Sequence, residues 1–262
     1  MKNENRIRIA LVEYINTRPF LDGLERYFEP GEVELHLLPP MDCAKALREG
    51  RVDLSLMPVG ALTNFEKLEV LPDFCIGADG PVHSVFLFAQ QPIETLHTVI
   101  LDRHSRSSNG LLRVLMHQHW QRGVSYVMPE TKHFDRIYGG TGGVVIGDQA
   151  IRMRDRFDYA YDLSEAWRDL TGLPFAFAVW VHRPGQLNEA TRERLYLALK
   201  DGVDHRASTA ARWHDYFNLD ADFAQRYLMQ YIDYAFTPAK HRAMRLYLRQ
   251  LVSLPELSLQ AV

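Results

Sequence analysis

The stretch VELHLLPPMDCAKALREGRVDLSLMP, residues 33–58, decides the fold class. Val33, Leu35 and Leu37 alternate with polar residues, which predicts a half-buried strand. A short helix is predicted over CAKALRE, and Gly50 is placed to end it in the left-handed conformation. The run VDLSLM then predicts a second strand. A strand, a helix and a strand within about thirty residues indicate a βαβ unit and therefore a parallel sheet.

The flanking sequence continues this α/β pattern. Arg6–Val12 predicts a first strand, and the apolar residues after Pro19 recur at helical spacing. From Asn188 onward the sequence predicts only helices, the last of which begins with Thr237 as N-cap and Pro238 at the first helical position. Further short strands are predicted at residues 98–101, 124–128, 143–147, 157–162 and 175–181.

Two strand-like segments, Ser84–Gln90 and Phe175–Val181, are predicted to carry the chain from one lobe to a second lobe and back. We therefore expect a first lobe over residues 1–88, a second lobe over 89–181, and a return to the first lobe over 182–262. The C-terminal helices are expected to pack on the first lobe. Two crossings predict a hinged clamshell that binds a ligand in its cleft.

The composition excludes several functional classes. The chain has 47% hydrophobic residues, 24% charged residues and a formal net charge of −3, so no nucleic-acid or anionic-membrane partner is expected. No apolar run reaches the roughly 18 residues of a membrane span. Cys43 and Cys75 lack CxxC spacing, which argues against a disulfide framework or a zinc site. The N-terminus shows no secretory signal, which predicts a cytoplasmic protein.

Two short segments predict a binding site for a small anion. In YINTRPF, residues 14–20, Asn16, Thr17 and Arg18 follow the first predicted strand, and they form either a capped turn or a ligand site. In SRSSN, Ser105–Asn109, three hydroxyls and Arg106 stand at a helix start, where free N–H groups and the helix dipole favour carboxylate or phosphate. The alternative for SRSSN is plain helix capping by Ser107 or Ser108.

A third polar position lies in GPVHS, residues 80–84. Ser84 precedes an apolar strand, and it either makes a strand-start hydrogen bond or faces a ligand. The glycine-rich segment YGGTGGVVIGD fits neither GxxxxGK[ST] nor GxGxxG. Its Gly139–Gly143 portion is predicted to be a flexible turn that leads into a strand, with Gly147 and Asp148 at the start of the next helix.

Six motifs occur along the chain in a fixed order: NTRPF, LREGRVDLSLMPVGAL, SVFLF, LDRHSRSSNGLLRVL, GVVIGDQAI and DLSEAWRDLTGLPFAFAVWV. In order and spacing they resemble the chorismate dehydratase family of the futalosine-dependent menaquinone pathway. The resemblance extends from about Arg6 to Pro184. It implies a two-lobed, periplasmic-binding-protein-like fold of type 2, in agreement with the predicted crossings.

The resemblance also implies a reaction. Chorismate would lose water to give 3-[(1-carboxyvinyl)oxy]benzoate, a carbon–oxygen lyase reaction that needs neither a metal nor an organic cofactor. Asn16 and Ser84 occupy the positions regarded as catalytic in the family. Because no well-placed Asp, Glu or Lys base emerges, the enolpyruvyl carboxylate of the substrate could accept the proton. Catalysis would then rest on positioning and electrostatics.

The implied partner is the dianionic small molecule chorismate, bound by a monomer or homodimer. The SRSSN segment corresponds to the pocket for a substrate carboxylate. The predicted substrate-binding residues are Thr17, Arg18, Pro58, Ser105, Arg106, Ser107, Ser108, Asn109, Gly147 and Asp148.

Other functional classes remain as alternatives. A solute-binding protein would need a secretion signal, and a transcription regulator would need a DNA-binding helix-turn-helix ahead of the first strand. The sister enzyme that forms dihydroxynaphthoate later in the same pathway would carry a Cys-Pro-Asn-Asp-like turn after the first strand, where this chain has NTRPF. A non-catalytic cytoplasmic protein that binds small anions is the remaining alternative.

Overall fold

The computed structural model describes residues 6–130, 134–257 and 259, and the chain divides into two compact units. Unit 1 combines the residues up to Gly77 with Ala176–Thr237. Unit 2 combines Ala78–Phe175 with the residues from Pro238 onward. Each unit is built around its own mixed sheet with helices against it.

Unit 1 contains a six-stranded sheet. Its elements are β1 (Ile7–Leu11), α1 (Arg18–Tyr27), β2 (Val33–Leu37), α2 (Pro40–Arg48), β3 (Leu54–Pro58), β4 (Glu69–Ala78), β10 (Phe175–His182), α6 (Glu189–Asp204), α7 (Arg206–Trp213), α8 (Ala221–Arg226) and β11 (Asp233–Ala235). The strand order is β11-β4-β10-β3-β1-β2. Both β2 and β3 run parallel to β1, which confirms the predicted βαβ unit. Gly50 adopts a positive φ of 71° after α2, as its position predicted.

Two glycines bring α1 and α6 into backbone contact. A Cβ on Gly23 would lie 2.0 Å from the Ala198 carbonyl oxygen, and one on Gly202 would lie 1.8 Å from the Pro19 carbonyl oxygen. Only glycine allows such an approach, because any larger residue would push the helices apart. The first turn of α1, which begins two residues after Asn16, is therefore fixed against α6.

Unit 2 contains a five-stranded sheet. Its elements are β5 (Val85–Ala89), β6 (Thr98–Ile100), α3 (Arg106–Gln118), β7 (Ser125–Val127), β8 (Thr141–Ile146), α4 (Gly147–Met153), β9 (Tyr159–Asp162), α5 (Leu163–Thr171) and α9 (Pro238–Ser253). The strand order is β7-β6-β8-β5-β9. β6 is parallel to β7 and β8, whereas β5 is antiparallel to β8 and β9.

The last helix, α9, belongs to unit 2, so the expectation that all C-terminal helices pack on the first lobe is wrong for α9. Tyr247 on α9 is fully buried and donates a hydrogen bond of 2.9 Å to the Ser107 carbonyl oxygen. Its ring meets Trp167 and Phe175 edge-on, with centroids 6.2 and 5.1 Å away. Helices α6, α7 and α8 lie in unit 1, as expected.

The first change of unit occurs earlier than the predicted crossing at Ser84–Gln90. The chain leaves unit 1 at Gly77, at the end of β4, and SVFLF instead forms β5 within unit 2. The sequence pattern did not predict β4, because its first half is partly exposed and contains Pro72, while only its last four residues are buried. The chain changes unit again between Phe175 and Ala176, inside the second predicted crossing, and a third time before Pro238.

Two further local predictions differ from the structure. The segment 220–236 was predicted to be helical throughout. In the structure α8 ends at Arg226, a π-helical turn follows over Tyr227–Tyr231, and the segment then forms β11. The predicted turn Gly139–Gly143 already enters β8 at Thr141. A Cβ on Gly143 would lie 2.6 Å from Ile137 Cδ1, so glycine here serves close packing of a strand.

Candidate functional site

In unit 1, two predicted site positions lie at the same edge of the sheet. Because β1 and β3 are parallel, with Ala10 opposite Ser55, their carboxyl ends point the same way. β1 leads into the turn that carries Asn16, and β3 ends at Pro58. Ligands of α/β proteins bind at the carboxyl ends of parallel strands. The structure thus brings the Asn16 turn and Pro58 to the edge where binding is expected.

Asn16 is a buried residue in a 3-10 turn, Ile15–Thr17, between β1 and α1. Its Nδ2 donates a hydrogen bond of 3.1 Å to the hydroxyl oxygen of Tyr227. Its carbonyl oxygen accepts a hydrogen bond of 2.9 Å from the Tyr234 hydroxyl. Within the described ranges 6–130, 134–257 and 259, no protein group donates to Asn16 Oδ1. That oxygen is the acceptor that Asn16 can offer to a substrate.

Thr17 has a structural role in the same turn. Its hydroxyl bonds to the carbonyl oxygens of Val12 and Tyr14, the latter at 2.8 Å. The Tyr14 N–H approaches the same hydroxyl at 3.4 Å. These bonds stabilise the turn between β1 and α1. The two carbonyl oxygens share the only proton that the hydroxyl can donate. A substrate contact by Thr17 stays a prediction.

Arg18 is buried and has its partners within unit 1. Nη2 lies 3.0 Å from Glu13 Oε1, and the guanidinium carbon lies 4.1 Å from the centre of the Trp213 ring. The rings of Tyr216 and Phe217 flank it at 5.4 and 5.5 Å. An ion pair with cation–π contacts neutralises the charge without a ligand.

In unit 2, three loops with predicted site residues lie at one edge of the sheet. β6 and β8 are parallel, with Ile100 opposite Gly143, so the segments after both strands lie at this edge. β5 is antiparallel to β8, with Val85 opposite Ile146, so Ser84 lies there too. The Gly147 N–H donates to the Ser84 carbonyl oxygen at 2.8 Å. The structure thus brings Ser84, Gly147 and the SRSSN segment to one edge.

The backbone ahead of Ser84 is held by Asp162, a residue that the sequence analysis did not single out. Asp162 is buried at the end of β9 and caps α5. Its two carboxylate oxygens accept hydrogen bonds of 2.7 to 3.2 Å from four backbone N–H groups, those of Val82, His83, Ser164 and Glu165. His83 has a positive φ of 58°, which is strained for a non-glycine residue. Asp162 stabilises this strained turn, and Ser84 follows it directly.

Burial raises the pKa of the Asp162 carboxyl to about 6, against the opposing effect of its four N–H donors. Burial also lowers the pKa of the neighbouring His83 imidazole, and the charge of Arg154 adds to that decrease. The lowered pKa biases the His83 imidazole toward its neutral form. The signal for Asp162 in the sequence is its position before LSE, three residues ahead of Glu165, as in a helix-capping pattern.

The SRSSN segment forms the start of α3, and its cap is Ser105. The Ser105 hydroxyl accepts from the Ser108 N–H at 3.3 Å and donates to the Ser108 hydroxyl at 2.7 Å. The capping alternative is therefore correct in kind, but the N-cap is neither Ser107 nor Ser108. Asn109 closes the preceding loop through two bonds to the Asp102 backbone, at 2.6 and 3.0 Å.

Arg106 is exposed at the first position of α3, whereas Ser105, Ser107 and Ser108 are buried. Its guanidinium can therefore reach an anion in solvent at the helix N-terminus. Asp148, in the first turn of α4, is buried.

Comparison with solved structures identifies the fold. The fold is similar to that of protein AF1704 from Archaeoglobus fulgidus, with a TM-score of 0.75 and 16% identity over 95% of this chain and 97% of that one. It is also similar to the Candida albicans CA3427 gene product, described as having the generic periplasmic binding protein fold, with a TM-score of 0.68 and 12% identity over 97% and 92% of the two chains. The chain therefore has a periplasmic-binding-protein-like α/β fold.

The family follows from the sequence comparisons. A family profile described as "Menaquinone biosynthesis" matches residues 7–253, and the chain belongs to this menaquinone biosynthesis family. The chain is 31% identical over 209 residues to a protein from Thermus thermophilus named "Chorismate dehydratase", a match that covers 67% of this chain and 76% of the relative. In the part of the chain that the structure describes, no helix is long and apolar enough to cross a membrane.

Proposed function

We propose that this protein is a chorismate dehydratase, which converts chorismate to 3-[(1-carboxyvinyl)oxy]benzoate and water as the first step of the futalosine route to menaquinone. The proposal is supported by membership in the menaquinone biosynthesis family and by the name of the Thermus thermophilus relative. The observation that carries it is the placement of Asn16 and Ser84, each buried next to a strand end in its own unit.

The proposed chemistry is a 1,2-elimination on the substrate ring. The C3–H bond breaks, its electron pair forms the new ring π bond, and the C4–O bond breaks to release the hydroxyl, which leaves as water with the C3 proton. The product ring is aromatic, which supplies the driving force. We propose that the enolpyruvyl carboxylate of the substrate accepts the C3 proton and passes it to the departing hydroxyl.

Asn16 and Ser84 are proposed as the catalytic residues. Asn16 Oδ1 is a fixed acceptor for a substrate hydroxyl, and the Ser84 hydroxyl is proposed to orient the substrate carboxylate that accepts the proton. Both act by positioning and by fixed dipoles, which lower a barrier because they need no reorganisation during the reaction. The backbone around each residue is held by hydrogen bonds, as this role requires.

Arg106 is the favoured partner of a substrate carboxylate, because it is exposed at a helix start. The proposed binding residues also include Thr17, Pro58, Ser105, Ser107, Ser108, Asn109, Gly147 and Asp148, whereas Arg18, which pairs with Glu13, is proposed to hold the Asn16 turn. We further infer that the protein acts in the cytoplasm, as a monomer or homodimer, on this small dianionic substrate.

The proposed function is tested by incubating purified protein with chorismate in the presence of EDTA, with chromatography and mass detection. We expect an aromatic product that has lost one water molecule. Chorismate that binds, as judged by a thermal shift, but is recovered unchanged would identify a non-catalytic binder. Turnover of cyclic de-hypoxanthine futalosine instead of chorismate would identify the sister enzyme.

A further inference from the structure

Two buried tyrosines from the C-terminal part of unit 1 form hydrogen bonds to Asn16, one to its side-chain carboxamide and one to its backbone carbonyl oxygen. The Tyr227 hydroxyl accepts from the side-chain Nδ2 at 3.1 Å, and the Tyr234 hydroxyl donates to the backbone carbonyl oxygen at 2.9 Å. Both tyrosines are almost completely buried. Burial raises the pKa of Tyr234 well above its ordinary value, so its hydroxyl stays protonated and remains a donor.

Tyr227 occupies an unusual position in the backbone. It begins the π-helical turn Tyr227–Tyr231, and its carbonyl oxygen accepts the Ile232 N–H at 2.9 Å, a bond across five residues. Turns of this type are rare in proteins, and those that occur often lie at functional sites. The Phe223 ring stacks on the Tyr227 ring, with centroids 6.0 Å apart and planes within 18°. The ring, and with it the hydroxyl, has little freedom to move.

The Tyr227 hydroxyl determines which atom of the Asn16 carboxamide is available to a substrate. A carboxamide presents an acceptor oxygen and a donor nitrogen on opposite sides of one rotatable bond. Because the hydroxyl takes the Nδ2 side, Oδ1 is directed away from it. Without the hydroxyl, a buried N–H would lose its acceptor at a cost of about 1–3 kcal/mol, and rotation of the amide would relieve that cost. Rotation would exchange the acceptor and the donor.

We propose that Tyr227 is a positioning residue that keeps Asn16 Oδ1 aimed at the substrate, an inference that rests on the proposed function. Tyr227 acts through Asn16 and does not itself touch the reacting atoms. Losing its hydroxyl therefore misaligns a group needed in the transition state, while the other substrate contacts remain. Such a change lowers kcat and leaves KM nearly unchanged.

The test is Tyr227→Phe, which removes the hydroxyl and keeps the ring. We expect kcat for chorismate to fall about 10- to 100-fold, with KM within about twofold of the wild-type value. The matched control is Tyr161→Phe in unit 2, where the lost hydroxyl accepts the Ile93 N–H at 2.9 Å. This control also loses a tyrosine hydroxyl that accepts one N–H, here from the backbone at a partly buried site. Its kcat and KM should stay at wild-type values. Thermal unfolding of both variants reports whether each is folded at the assay temperature.

The outcomes separate the inference from the proposed function. Wild-type protein that leaves chorismate unchanged rejects the proposed function. Active wild-type protein with a folded Tyr227→Phe variant of normal kcat rejects the positioning role alone. A variant whose KM rises while kcat is kept also rejects it, because that pattern means a lost contact in the ground state. If kcat falls by the same factor in Tyr161→Phe, the fall in Tyr227→Phe reflects general destabilisation, and the positioning role is likewise rejected.

Discussion

The guanidinium carbon of Arg18 lies 4.1 Å from the centre of the Trp213 ring, and this contact ties the first turn of α1 to the end of α7. Glu13 completes the arrangement, because its Oε1 also accepts a hydrogen bond of 2.9 Å from Tyr216. Arg18 follows Asn16 by two residues. A cation that was predicted to bind substrate therefore serves first to fix the turn that carries the catalytic candidate.

We expect Arg18→Ala to lower the free energy of unfolding by about 2–4 kcal/mol, because it removes a buried cation that pairs with the Glu13 carboxylate and lies over the Trp213 ring. Chorismate affinity should fall less than tenfold. The control is Arg212→Ala, since exposed Arg212 lies over the same Trp213 ring at 4.9 Å and its loss should cost less than about 1 kcal/mol. Urea unfolding and calorimetric titration measure the two effects. A 100-fold loss of affinity at unchanged stability would show instead that Arg18 binds a substrate carboxylate.

Arg106→Ala should weaken chorismate binding by about 10- to 150-fold, the equivalent of one charge-assisted hydrogen bond of about 1.5–3 kcal/mol. Stability should change little, because Arg106 is exposed. Arg103→Ala is the matched control in the same loop, since the Arg103 guanidinium already donates to the Glu130 carbonyl oxygen. Calorimetric titration of both variants decides the prediction. Equal affinities would move the carboxylate site away from the start of α3.

Asp162 gives the protein a pH dependence of definite sign. Its pKa of about 6 in the folded protein lies above the ordinary value of 3.8, so the folded state binds the proton more tightly than the unfolded state. The stabilisation is complete below the unfolded pKa and is lost as pH rises through about 6. We expect the stability of the wild type relative to Asp162→Asn to fall by roughly 2–3 kcal/mol from pH 4 to pH 7.

Urea unfolding of the two proteins across this range measures that difference, and histidine titrations common to both cancel. A relative stability that rises with pH would mean that the four N–H donors outweigh burial and that the carboxylate is the favoured form. Asp162→Asn should also lower chorismate turnover, because an amide cannot accept all four N–H bonds that hold the segment before Ser84.

The local features of the fold were predictable from sequence because their signals lie within one or two turns of chain. Gly50 after α2, Pro238 at the start of α9 and the βαβ unit are of this kind. The assignment of α9 to unit 2 was not predictable, because it depends on the packing of Tyr247 against rings far away in sequence. An amphipathic stripe shows that a helix has a buried face but not which surface covers it.

The candidate site likewise has some features that could be predicted from the local sequence and others that could not. Ser105 and its neighbours could be recognised as a helix start, although the hydroxyl that makes the cap was misassigned. The hydrogen bond between Asn16 and Tyr227 joins residues that are 211 positions apart, and the local sequence around Tyr227 does not predict it. The π-helical turn that presents this tyrosine follows helical spacing closely enough that the sequence predicts an ordinary helix.

The proposed role of Asn16 and Ser84 is to catalyse the dehydration of chorismate. Its most direct test is the rate of aromatic product formation by wild type, Asn16→Ala and Ser84→Ala at saturating chorismate, with unfolding curves to show that all three are folded. We predict steady formation of 3-[(1-carboxyvinyl)oxy]benzoate by the wild type and a loss of at least about 100-fold in each variant. Product formation by folded Ser84→Ala or Asn16→Ala at the wild-type rate would contradict this role.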